Sequence, residues 1–161
     1  MRFVILAAAA ALGVGAMTGS ALAAGPEVTV VYGPDLGKKI EQYGAREVDR
    51  LAEDLRRSVL KAAAGSPALD DARIELVLED VVPNRPTMQQ MSDKPGLSYS
   101  SFGVGGAAIS GRVITADGAS RPVRYSWYET DIRWARASST WNDAELTFDR
   151  FAQSLARGKD L

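Results

Sequence analysis

The chain has 161 residues, with 19 Lys and Arg against 20 Asp and Glu, a net charge of −1, and neither cysteine nor histidine. A near-neutral balance supplies no clustered cation for phosphate backbones, so nucleic acid is not an expected partner. The missing His and Cys exclude Ser-His-Asp and Cys-His nucleophile systems and every zinc site built from those ligands. No catalytic residue, metal or cofactor is expected from these counts.

The first residues read as an export leader. Arg2 is a short positive start, Phe3 to Gly15 is apolar, and Ala21-Leu22-Ala23 offers small residues on either side of Leu22 before a cut. The alternative, a membrane anchor, needs a longer unbroken run than Gly13, Gly15, Thr18 and Gly19 allow. The expected organisation is a signal peptide over 1–23 and one domain over 24–161. Export places the product in the periplasm or outside the cell, with no integral span once the leader is gone. Lipid attachment at the cut would need a cysteine, and there is none.

Glu27 to Tyr32 alternates as a short strand ended by Gly33-Pro34. Asp35 then caps a long helix over 36–64, whose Ile40, Tyr43, Val48, Leu51, Leu55, Val59 and Ala62 form one apolar stripe. Gly44 is accommodated inside that helix at a cost of about 1 kcal/mol. Ala72 to Val82 is a second strand, with Ile74, Leu76 and Leu78 on one face. Strand, helix and strand form a βαβ unit, which makes the two strands parallel.

Residues 84–101 show no period between Pro83 and the next strand. A connection of that length is uncommon without a function. Phe102 to Thr115 is a third strand behind Gly103-Val104-Gly105-Gly106, and its small residues invite a close helix. Those glycines lead into a strand rather than a helix, which argues against a phosphate loop. Asp117-Gly118 marks a turn into a fourth strand over Val123 to Asp131, antiparallel to the third. Ser139 or Thr140 caps a last helix, where Trp141, Ala144, Phe148, Phe151 and Leu155 fall three or four apart. The order β-α-β-β-β-α predicts an α+β fold: two layers, a four-stranded mixed sheet with both helices on one face.

The C-terminal half carries Gly105-Gly106-Ala107, Ile109-Ser110-Gly111, Asp117-Gly118, Trp141-Asn142-Asp143-Ala144 and Phe148-Asp149-Arg150-Phe151-Ala152. Across roughly 72–157 this resembles a group of uncharacterised bacterial envelope proteins and lipoproteins. The resemblance implies an exported envelope protein and transfers no catalytic residue. The missing lipidation cysteine departs from the lipoprotein members.

Two groups of residues stand out as candidate binding sites. Asp80, Asn84, Arg85, Gln89 and Gln90 form a polar corner at the end of the second strand, with Arg85 offering a guanidinium fork. The bland reading gives Asn84 an Asx turn between prolines. Trp127, Tyr128 and Trp134 offer an aromatic surface, set against ordinary strand packing. Carboxylate pairs for hydrolysis are poorly placed, since Glu79 and Asp80 should point to opposite faces and Glu129 and Asp131 share a strand face without a cleft. The leading expectation is an exported envelope accessory protein, non-enzymatic, that binds an envelope protein. The alternatives are a periplasmic small-ligand or glycan-binding domain, and a His-free hydrolase.

Overall fold

The computed structural model describes residues 25–135 and 138–161. The predicted leader over 1–23 lies outside the described residues. Four strands, β1 (Glu27–Tyr32), β2 (Arg73–Val82), β3 (Gly106–Ile114) and β4 (Ser120–Tyr128), form one sheet in the order β1-β2-β3-β4. β1 and β2 are parallel, and the other two pairs are antiparallel. The helices are α1 (Pro34–Gly37), α2 (Ile40–Tyr43), α3 (Ala45–Ala63), α4 (Met88–Asp93) and α5 (Asn142–Ala156), with short 3-10 turns at Pro67–Leu69 and Ile132–Trp134. The fold is α+β, as expected, with α3 and α5 packed side by side on one face of the mixed sheet.

The first predicted helix is three pieces. Gly44 takes φ +93°, a left-handed conformation closed to most side chains, and the chain turns there before α3 begins. Gly33 rather than Asp35 occupies the cap position of α1, and Asp35 pairs with Lys38 at 2.8 Å. The 84–101 stretch also holds an unexpected element. Thr87 and Gln90 form a reciprocal capping box, which starts the six residues of α4. β4 begins three residues earlier than its sequence pattern suggests and ends at Tyr128, because the turn closes at Thr115 to Ala119. Glu129 and Asp131 therefore leave the sheet. Glu129 accepts from the Thr130 and Asp131 amides, and Asp131 caps the 3-10 turn.

The core lies between the sheet and the two long helices. Ile74, Leu76, Leu78 and Val81 from β2 meet Ala107, Ile109 and Val113 from β3 on that side. Trp141, Phe148, Phe151 and Leu155 of the last helix and its cap are fully buried, at about 1.5–3 kcal/mol for each such side chain. Trp141 also fixes where α5 starts. Its ring meets Tyr43 edge-on at 5.4 Å, and its Nε1 donates to Glu47 of α3 at 2.8 Å. Among the described residues, no helix is long and apolar enough to cross a membrane.

The α3–α5 seam carries one strained charge. Burial pushes the Glu145 carboxyl up, with Asp54 and Asp149 adding like charge and Arg50, 3.7 Å away, only partly opposing them. A carboxyl whose folded pKa is raised leaves stability intact below the ordinary glutamate range and removes it as pH rises through the raised value. Glu145→Gln should therefore melt above the wild type at neutral pH. The two melting curves should converge as the pH falls below the ordinary glutamate range, which a pH series of thermal melts would read directly.

Candidate functional site

The far end of β2 is irregular, and that irregularity places the polar corner. Leu78 pairs with Ile109 and Asp80 with Ala108, so Glu79 is an extra residue, a β-bulge. The bulge turns Glu79 and Asp80 to the same side of the sheet, against the expectation that they alternate. Glu79 accepts from Ser110 at 2.5 Å. Asp80 accepts from Lys39 at 2.6 Å and from the Tyr128 hydroxyl at 3.2 Å. Burial, then the charge and hydrogen bond of Asp80, push the Tyr128 phenol well up. Burial opposes the Lys39 ammonium, but its hydrogen bond to Asp80 and nearby charges leave its pKa raised overall. This cluster is a set of internal pairs.

Asn84 is 1 % exposed and does not serve an Asx turn. Its Nδ2 donates to Asp143 Oδ2 at 2.6 Å and to the Gly103 carbonyl at 3.2 Å, while its Oδ1 accepts from the Asp143 amide at 2.9 Å. Its backbone amide donates to Thr140 and its carbonyl accepts from Gly103, each at 2.8 Å. Asp143 is fully buried in the first turn of α5, where the helix dipole favours a carboxylate. Its Oδ2 also accepts from the Gly105 amide at 3.0 Å. The glycine segment thus presents an amide to a carboxylate of its own chain. A side chain at 105 would press on Asn84 Oδ1 and the Val82 carbonyl, both 2.7 Å from the added carbon.

This junction joins three chain segments: the exit of β2, the approach to β3, and the loop from β4 into α5. Glu129 donates its amide to Gly105, so the two loops leave the sheet side by side. On them stand Met88, Leu97, Tyr99, Phe102, Ile132 and Trp134, all exposed, with Trp134 at 69 %. Arg85 donates to the Tyr99 carbonyl and its guanidinium lies 4.9 Å from the Tyr99 ring centre. A notch of about 230 Å³ opens between Arg85, Pro86, Leu97 and Phe102.

The remaining sequence candidates separate. Gln90 is spent in the capping box, and Gln89 bonds Asp93 across one helical turn. Trp127 faces the helices, with the Arg150 guanidinium 4.3 Å from its ring centre. Tyr128 faces the other side and is held by Asp80. Trp134 alone of the three aromatics stands well clear of the surface. Sequence reasoning places Asp143 at the start of the last helix but misses its pairing with Asn84, 59 positions away. It marked the 84–101 connection as a whole but did not single out Met88, Leu97 and Tyr99 in it, or Phe102 beside it, whose exposure has no periodic signal. Among the described residues, no group of three or more acidic side chains is placed to hold a metal ion.

No family model matches the chain, and no curated protein matches it. Among solved structures it is similar to a protein of Caulobacter crescentus CB15 described as a "putative lipoprotein", at 15% identity. The match covers 83% of this chain and 82% of that one, with a TM-score of 0.31. A TM-score of that size does not establish a common fold.

Removing the junction should be costly. Asn84→Ala strips the buried Asp143 carboxylate of a donor and should lower unfolding free energy by about 1.5–3 kcal/mol, measured by denaturant titration. Tyr32, Tyr43 and Tyr128 all carry raised pKa values, Tyr32 pushed up to about 12 by burial and Asp49. Their folded forms keep the proton after an unfolded chain would lose it, so stability holds below the ordinary tyrosine range and falls as pH rises through the raised values. Phenolate absorbance should show these three phenols titrating later in the folded chain than after it is unfolded.

Proposed function

We propose that this chain is an exported accessory domain of the bacterial envelope, and that it works by binding another envelope protein through the loop end of the sheet. One observation carries the reading. Six large apolar side chains stand exposed on two loops that the Asn84–Asp143 junction holds together. Exposed apolar groups cost solubility unless something covers them, and clustered ones mark interaction sites. The leader pattern at Arg2, Phe3 to Gly15 and Ala21 to Ala23 supports export. The carboxylates that hydrolysis would need are committed elsewhere, Asp80 to Lys39 and Tyr128, and Glu79 to Ser110.

A glycan or small-ligand reading draws on Trp134, a natural stacking platform beside the same loops. The notch there is about 230 Å³, below the roughly 300–1,000 Å³ that drug-sized ligands occupy. It suits one anchoring side chain of a partner protein, with Arg85 at its rim holding the Tyr99 segment in place.

Trp134→Ala should leave the melting temperature unchanged, because the side chain is exposed, and should weaken partner binding by at least ~10-fold, as central aromatic contacts do. Arg85→Ala should also weaken binding, by loosening the Tyr99 segment. The check is retention of envelope proteins on the immobilised chain, followed by titration of the retained partner. A partner held equally by wild type and both variants would place the contact elsewhere. A saturable change in tryptophan fluorescence with cell-wall fragments, lost in Trp134→Ala, would favour the glycan reading.

A further inference from the structure

The two edges of the sheet are built differently. β4 carries Arg121, Pro122 and Arg124 within its nine residues, the kind of charge and missing amide that discourage another strand from adding. β1 reads Glu-Val-Thr-Val-Val-Tyr and has no lysine, arginine, proline or bulge. Its one charge, Glu27, sits at its first position. Val31 is 57% exposed and Tyr32 37%.

Among the described residues β1 pairs with β2 along one side only. Glu27 donates its amide to Ala72 and Gly33 donates to Leu78, each at 2.9 Å. The odd-numbered residues thus turn their backbone groups toward β2. Val28, Val30 and Tyr32 turn theirs to the outside, since the direction alternates along a strand.

We propose that a second copy of this chain pairs with that outer edge, β1 to β1 and antiparallel, to make a sheet twice as wide. The register that uses all three outward residues is centred on Val30. Val30 lies opposite Val30 of the second copy and Val28 opposite Tyr32, each pair exchanging two hydrogen bonds, roughly six across the joint. Between them Thr29 lies opposite Val31, and Glu27 opposite Gly33. No like charges meet, and each β-branched residue meets an apolar or β-branched partner. The twofold axis passes between the two Val30 residues, so the contact is isologous and closes at two copies. It also brings together the uncovered sheet faces. Each has a shallow depression of about 610 Å³ floored by Val31, Val77 and Pro122, and Val31 is the residue the joint would cover.

The test is sedimentation of the protein in the form its host accumulates, over a range of concentrations, beside Val31→Lys. The wild type is expected to dimerise. Val31→Lys, whose side chain is exposed, is expected to keep the wild-type circular dichroism and melt, and to dimerise at least ~10-fold more weakly, since an edge lysine blocks pairing. A second measurement reads the register itself. The chain has no cysteine, so Thr29→Cys mixed with Val31→Cys can form a disulfide only between the introduced thiols. Opposed residues of this type lie about 4.5 Å apart at Cα, within disulfide range. The mixture should cross-link faster than either variant alone. A monomer at every concentration, a dimer that Val31→Lys leaves unchanged, or a mixture that cross-links no faster than the separate variants would overturn the proposal. A monomer whose β1 instead takes up an extended segment of another protein would also overturn it.

Discussion

Asp143 is a wholly buried carboxylate, and the loop end of this protein supplies donors to its Oδ2, while its buried Oδ1 meets none among the described residues. Asn84 and Gly105 converge on its Oδ2, at 2.6 and 3.0 Å. An amide and a backbone N–H reach it from two different segments, and α5 contributes the positive end of its dipole. A buried acceptor without donors costs more than a hydrogen bond gains, so the two donors on Oδ2 tie these segments to α5. The position of α5 is in turn set by Trp141, locked between Tyr43 and Glu47. Core packing and polar satisfaction thus act on the same helix terminus.

That arrangement separates the side chains that hold the loop end in shape from those left exposed on it. Asp80, Asn84 and Gln90 look like a binding corner when seen as a list of polar residues. In the fold, each is consumed by an internal partner. Their product is a hydrogen-bonded loop end from which Trp134, Phe102 and Met88 project. Rigid presentation lowers the ordering cost of association, which is where a small exposed patch gains affinity. The β1 edge is a second exposed surface, on the opposite flank of the sheet from β4.

Much of the fold was legible because periodicity records burial. The spacing of Trp141, Phe148, Phe151 and Leu155 reports a helix against a core, and all four are buried. The parallel β1–β2 pair follows from a strand, a helical stretch and another strand, and the hairpin from Asp117-Gly118. The misses have equally definite causes. Gly44 could have been an ordinary helical glycine, and only its positive φ shows the break. A bulge at Glu79 changes which face Asp80 occupies without changing any residue type. The Thr87-to-Gln90 spacing is a capping signal in plain sight, but six residues are too few to show a period. The Asn84–Asp143 contact spans 59 positions, and nothing local in either segment announces the other.

Native-state hydrogen exchange on the amides of Asn84, Gly103, Gly105 and Asp143 tests the central claim most directly. If the junction is a load shared between the loops and the core, these four should exchange slowly and together, with protection close to that of β3 and α5. Exchange as fast as that of the neighbouring Ser98 to Ser101 segment would contradict it, and would make the loop end a pliable surface rather than a platform.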